Sequence, residues 1–416
     1  MNLLLLVLPL LVIIAMLIKK QHMLVAALAG GIVAALIGQL DVATLNKAFT
    51  GGIAQMMGIT VPILYAATAG MVAKGGSIKA VVDLSKHYLR GRIAILAAVL
   101  VLIQAMATYM AGMGAGNTMV IAPLVALAVG FIPEVIAGMA IVTAVAFTTS
   151  PASTETALAA SMAGRDILEH AAAMRPFTII FIILGAALAA YGVYKRGSLL
   201  KGGSEPAIRD GESIGLLWKT AIPAIALLTM VVAGNKFNAW IGVRVFSPVT
   251  IVVITATLTF LLTKMTAEET SKSLIDGSRF ILTTLFAVGM FLGFINIIAA
   301  IGTFVQLAAL AGKAPQALVL PAAMLIAFIV AIPAGAFCAG VLALVLPTLA
   351  TLGMPSIAMG FVAIAAGLGT QISPVQINVA ALSDGFGVPI MDVIKGNLKY
   401  IMAALVILVV LAVIVV

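Results

Sequence analysis

Apolar segments of near-spanning length follow one another along almost the whole chain, and this restricts the fold more than any other feature. They run at about 3–18, 24–40, 52–73, 93–112, 118–131, 136–160 and 177–194. A second set lies near 215–233, 248–264, 280–300, 316–333, 337–351, 357–383 and 395–416. A helix needs roughly 20 apolar residues to cross a bilayer, a transmembrane strand only about ten. These lengths therefore predict helices, not a barrel. Only 9% of the residues are charged, against about 25% in a soluble domain. The expectation is an all-α polytopic membrane protein and not an enzyme, since no catalytic constellation, phosphate loop or dinucleotide fingerprint accompanies the apolar segments.

The formal net charge of +9 fits membrane topology better than nucleic acid. With Lys19 and Lys20 placed in the cytoplasm and every segment crossing, 17 of the 23 basic residues fall inside. That bias is the positive-inside pattern. It puts both termini outside a cell (inner) membrane, with the multi-pass chain returning between them. The leading segment lacks a basic start and a small-residue cleavage site, so it reads as a retained helix. Single Cys338 allows no internal disulfide. His22, His87 and His170 fall at segment ends or in loops and are expected to be solvated.

Two interruptions break this apolar pattern in the same way. The first reads Thr148-Thr149-Ser150-Pro151-Ala152-Ser153-Thr154-Glu155, and the second Thr370-Gln371-Ile372-Ser373-Pro374-Val375-Gln376-Ile377-Asn378. Ser150 and Ser373 lie 223 residues apart, and the same offset pairs Gly112 with Gly335 and Gly130 with Gly353. The expectation is a duplication: a first repeat over 1–194, a cytoplasmic linker over 195–214 and a second repeat over 215–416. Seven segments per half is an odd number, so the repeats are inverted, as in many secondary transporters. Residues 78–90 alternate apolar and charged positions at helical spacing and predict an interfacial helix. Its counterpart, Ile301 to Lys313, is less charged. Segments 118–131 and 337–351 either cross fully or form the second arms of re-entrant hairpins. Glycine-rich tips at 112–118 and 333–340 favour hairpins. Each half then has about five transmembrane helices, a re-entrant hairpin and a broken helix.

This order resembles the ion transporter superfamily, including the divalent-anion:sodium symporters and the citrate and gluconate carriers. The first tip, Gly116-Asn117-Thr118, matches two of the three residues in the Ser-Asn-Thr triplet of the divalent-anion symporters; the second, Ala336-Phe337-Cys338, departs from it. The resemblance implies an elevator-type carrier with a scaffold that often dimerises, hence an expected homodimer. It implies a small organic anion as substrate and Na⁺ or H⁺ as coupling ion, with no other cofactor.

A helix broken within the membrane presents carbonyls to a cation and amides to a carboxylate. Ser150 and Ser373 sit before Pro151 and Pro374, where their hydroxyls either ligate a cation or cap the next half-helix. Thr149, Ser153, Thr154 and Thr156 crowd the first break; Thr370, Gln371, Gln376 and Asn378 crowd the second. Gly114, Gly116, Asn117 and Thr118 mark the first hairpin tip, Gly335 and Cys338 the second. Glu155 is the acid nearest the middle of a membrane segment, a costly position that implies ion or proton binding. Candidate Na⁺ ligands are Asn117, Ser150, Glu155, Ser373 and Asn378. The function expected is uptake of a carboxylate, such as a di- or tricarboxylate or a sugar acid, coupled to Na⁺ or H⁺. The alternatives are an Na⁺/H⁺ antiporter on the same scaffold and the membrane subunit of a binding-protein-dependent carboxylate transporter.

Overall fold

The computed structural model describes residues 3–19, 21–57, 60–88, 92–112, 114–151, 153–200, 213–309, 313–335 and 338–416. It is all-helical, with 86% helix and no strand among the described residues. The first half holds α1 (Leu3–Ile18), α2 (Met23–Gly38), α3 (Val42–Met57), α4 (Thr60–Lys74), α5 (Ser77–Tyr88), α6 (Ile93–Ala111), α7 (Ala115–Val129), α8 (Pro133–Thr149), α9 (Thr154–Met162) and α10 (Ile167–Leu200). The second holds α11 (Ile214–Ile241), α12 (Pro248–Leu262), α13 (Ala267–Ala300), α14 (Thr303–Ala309), α15 (Val319–Ala334), α16 (Cys338–Thr351), α17 (Ser356–Thr370), α18 (Ile377–Phe386) and α19 (Ile390–Val415).

Three of these contain stretches long and apolar enough to cross a membrane: Ile167–Arg196, Ile214–Val231 and Ile390–Val415. The bent pair α8 and α9 makes a fourth if taken as one span. Ten shorter apolar helices accompany them, an architecture compatible with an all-α membrane protein. Many helices are shorter than the apolar segments suggest. α2 and α12 have 16 and 15 residues, at 1.5 Å per residue less than the ~30 Å hydrocarbon core. Local chemistry sets their ends. Gln39 closes α2 in the left-handed region, with φ of 47°, and glycine does the same at many other stops. The apolar segment at 52–73 spans two helices, the end of α3 and most of α4. The predicted linker starts inside helix, because α10 runs on to Leu200; residues 201–212 lie outside the described part.

Helix boundaries recur at one spacing. Ala115 and Cys338, Pro133 and Ser356, Thr154 and Ile377, and Ile167 and Ile390 each begin a helix, and each pair is 223 residues apart. The left-handed glycines Gly112, Gly130 and Gly164 have partners at Gly335, Gly353 and Gly387, again 223 apart and again with positive φ. Only glycine takes that conformation without a Cβ penalty, so the stops are written in the chain. The pattern is not uniform: α3 and α4 stand where the second half has the single helix α13.

Packing puts the interrupted helices at the centre. α8 lies against α6, α10, α17 and α19, while α17 lies against α8, α9, α15 and α16. Residues Glu134 to Thr149 and Ala358 to Thr370 are all buried. Glycine permits the close approach: a Cβ on Gly367 would lie 2.7 Å from the Thr148 methyl and 3.0 Å from the Ala144 carbonyl. A separate group, α2, α3 and α4, packs on α13. Helix α5 docks Ala80 and Leu84 on Leu217 and Ala221 of α11. At one end of α8 the buried Glu134 takes two bonds from Arg196, at 3.0 and 3.1 Å, and one from the Tyr400 hydroxyl at 2.7 Å. That joint ties α8 to both α10 and α19. His170, expected to be solvated, is fully buried in α10 with Nδ1 3.4 Å from the Ser356 hydroxyl, because α17 packs over it.

Candidate functional site

The first break follows from Pro151. Proline removes a helix donor and clashes with the preceding turn, and it drives the residue before it out of helical geometry. Ser150 accordingly has φ −71° and ψ 133°. α9 resumes at Thr154, bent by 49° from α8. Ser153, not Ser150, caps it by accepting the Thr156 N–H at 3.1 Å. The Ser150 hydroxyl instead reaches the first hairpin and donates to the Tyr109 carbonyl at 2.5 Å. Thr149 bonds back to Val145 and accepts from Thr178 of α10 at 2.9 Å. Pro151 is half-buried and Thr154 is exposed.

The second break is longer, running from Gln371 to Gln376, and is wholly buried. Thr370 donates to the Gly367 carbonyl at 2.6 Å. The Ser373 hydroxyl accepts the Val375 N–H at 3.2 Å, spanning Pro374. Gln376 occupies the N-cap position of α18 with no side-chain cap bond. Asn397 of α19, a residue the apolar pattern had not singled out, donates to the Gln371 carbonyl at 3.3 Å.

The two hairpins meet these breaks in a crossed manner. Each first arm packs beside its own broken helix: α6 on α8, and α15 on α17. Gly335 ends α15 with φ of +42°, and a Cβ there would run into Val375 and lie 2.5 Å from the Ser373 hydroxyl. Each second arm packs on the other half's short helix: α7 on α18, and α16 on α9. Thr118 of α7 donates to Asn378 Oδ1 at 2.5 Å. Across the other junction the Glu155 side chain lies beside the Ala339 backbone of α16. Glu155 and Asn378 are themselves 223 residues apart, so the two crossings are equivalent in place and unequal in chemistry.

Glu155 is half-buried. It accepts the Thr154 hydroxyl at 3.0 Å, with the buried Cys338 nearby. Among the described residues it forms no ion pair. Asn378 is buried and donates to Gln371 Oε1 at 2.6 Å, and Gln371 donates to Thr370 at 3.0 Å. Asn117 is buried, and Gly116 faces the Tyr65 ring so closely that a Cβ would lie 2.7 Å from it. Gly114 caps α7 against Thr143.

The structure thus gathers hydroxyls, amides and one carboxylate between two helix interruptions. Among the described residues no three of His, Cys, Asp and Glu come together. Neutral oxygens and a carboxylate suit hard cations, not transition metals. Sequence reasoning missed Gln104, Thr108, Thr143 and Asn397, all buried. Gln104 and Thr108 were findable as the polar i, i+4 pair inside an apolar segment. No protein-family model matches the chain, and no curated protein matches it.

Proposed function

We propose that the chain is a secondary active transporter that takes up a small organic anion, a carboxylate, coupled to Na⁺ or H⁺. One observation carries the reading: two helices interrupted at equivalent points, each closed by a hairpin arm from the opposite half. Interrupted helices with free termini serve as ion and anion sites in transporters. They are tolerated at membrane depth only where protein or a ligand meets the freed backbone. The recurring spacing of helix starts and left-handed glycines supports two copies of one unit, and the basic-residue asymmetry supports their inversion. In this reading α6 to α10 and α15 to α19 form the moving body of an elevator. The group around α13 is the scaffold, placed to dimerise in the inner membrane. Glu155 carries the coupling cation, and the neutral second break receives the carboxylate.

Thermal unfolding of the purified protein against a carboxylate panel, with and without Na⁺ and across pH, tests this. A ligand that binds only the native state raises its stability, by about 2.7 kcal/mol at a hundred times its Kd. Stabilisation by one carboxylate that grows with Na⁺ or with acid is expected. Indifference to every carboxylate, together with cation exchange by the protein in vesicles, would replace this reading with the antiporter.

A further inference from the structure

Away from the two breaks, the basic ends of two long apolar helices come to one level. α10 closes its candidate span with Lys195 and Arg196, and α19 carries Lys395 and Lys399 near the start of its own. Glu134 fixes the register between them, because its carboxylate accepts from Arg196 on one side and from the Tyr400 hydroxyl on the other. Tyr191 of α10 lies near Tyr400 of α19. The Lys195 ammonium sits 5.8 Å from the centre of the Tyr191 ring, and the Lys399 ammonium 4.6 Å from that of Tyr400.

Three features set this level apart from ordinary solvated helix ends. Its charges do not cancel. Glu134 neutralises Arg196, and Lys395 meets only the exposed Asp392, at 3.9 Å. Lys195 and Lys399 are exposed and form no ion pair among the described residues. Aromatic rings stand beside these charges: Tyr191 and Tyr194 are exposed, Tyr194 at 82%. Such rings, apolar in body and polar at the tip, favour the headgroup level of a bilayer. Exposed apolar stripes lead away from the basic residues as well. Ile180 and Ile183 share a face of α10 with the two tyrosines, and Met402, Val406, Val410 and Val413 share a face of α19 with Lys399.

We infer that Lys195 and Lys399 hold the headgroup of an acidic phospholipid, with its acyl chains laid along the two apolar stripes. An ammonium over a ring face is attracted by the ring's charge distribution and keeps its hydrogens for a phosphate oxygen. A free phosphate would match the lysines and leave the stripes without a role; a phospholipid matches both. A second copy of the chain, paired by a two-fold axis along the membrane normal, would set lysines against lysines. The topology expected from the basic residues puts all four on the cytoplasmic side, the leaflet whose acidic lipids attract lysine and arginine beside a spanning helix. A lipid held this way adds a second bridge between α10 of the first half and α19 of the second, beside the Glu134 joint. The inference rests on the membrane character of the chain and not on the transport reading.

The test is native mass spectrometry of the purified full chain, released from micelles that hold equal amounts of phosphatidylglycerol and phosphatidylcholine with identical acyl chains. Wild type is expected to retain phosphatidylglycerol in preference. Lys195→Gln and Lys399→Gln should each lower that preference roughly fivefold, and the double variant further, while Lys399→Arg, which keeps the charge, behaves like wild type. Either single variant carries the test if the double does not fold. Phosphatidylglycerol should also raise the Tm, and glycerol phosphate, a headgroup without chains, should not at the same concentration. Equal retention of both lipids by wild type overturns the inference, as does a wild-type preference in the lysine variants. Stabilisation by glycerol phosphate alone overturns it in favour of a soluble anion. Ready disulfide cross-linking of Tyr194→Cys between copies in native membranes overturns it in favour of a second copy on this face. None of these outcomes depends on a response to carboxylates or Na⁺, so the failure of either proposal leaves the other standing.

Discussion

Ser150 and Ser373 look interchangeable in the sequence, but their hydroxyls do different work. Ser150 reaches across to the Tyr109 carbonyl, whereas Ser373 stays within its own turn. Losing a buried hydrogen bond costs on the order of 1 kcal/mol net, and more when the partner is left unsatisfied. Ser150→Ala is thus expected to loosen the first hairpin and depress transport while the protein still folds, as read by uptake and by detergent-extracted monodispersity. Ser373→Ala should depress transport less. Equal and full activity in both would remove the serines from the site. Glu155→Gln keeps the size of the side chain and removes its charge. The expected result is loss of cation dependence with carboxylate binding retained, measured by ligand-induced thermal shift with and without Na⁺.

At the scale of elements, stops and caps decide where helices end. Gly335 closes α15 at a positive φ with Val375 and Ser373 against it. Gly335→Ala pays both backbone strain and a clash, so a loss of about 1–3 kcal/mol is expected, seen as a lower Tm. α13 begins with a capping box in which Thr266 and Glu269 bond each other's backbone. The Thr266 N–H and hydroxyl hold the Glu269 carboxyl below its usual value of 4.5. A lowered folded pKa means that its stabilising effect is full above the unfolded value and fades as pH falls through the folded one. Glu269→Gln should therefore lower the Tm slightly in the neutral range, where the carboxylate's contribution is full, and flatten the dependence of Tm on pH below 4.5. These elements were largely legible in the sequence because proline, glycine and Ser/Thr punctuation is local chemistry. The helix starts at Pro133, Thr154 and Ile377 lie within or beside the expected segments for that reason. The partnership of Thr118 with Asn378 was not legible, since nothing local in either residue says that a hairpin crosses to the opposite half. Gln104 could be picked out beside Thr108 as a polar pair in an apolar segment, but its bonds to Thr118 and Thr143 could not, because those threonines arrive from other helices. His170 was misread because a position near a segment end says little about the helix α17 that later covers it.

For the molecule as a whole, the joint of Glu134, Arg196 and Tyr400 holds α8, α10 and α19 together from both halves. Removing the cation leaves a buried carboxylate with only the tyrosine hydroxyl. Such broken buried pairs cost about 3–5 kcal/mol; the arginine is more than a third exposed, at 38% of its side chain, so about 2 kcal/mol is expected for Arg196→Ala, with partial recovery in the double variant Arg196→Ala with Glu134→Gln. Thermal unfolding of the four proteins of that cycle measures the coupling directly. The crossed hairpins carry a further consequence, one of timing. Thr118 and its partner Asn378 are 260 residues apart. At synthesis rates of about 5–20 residues per second, the first hairpin waits roughly 13–50 s for the segment that completes it. During that interval the polar tip of the first hairpin is unmatched, which makes the incomplete chain a natural substrate for quality control. A chain stopped after residue 200 should be degraded rapidly in cells, and co-synthesis of 213–416 as a separate polypeptide should prolong its lifetime.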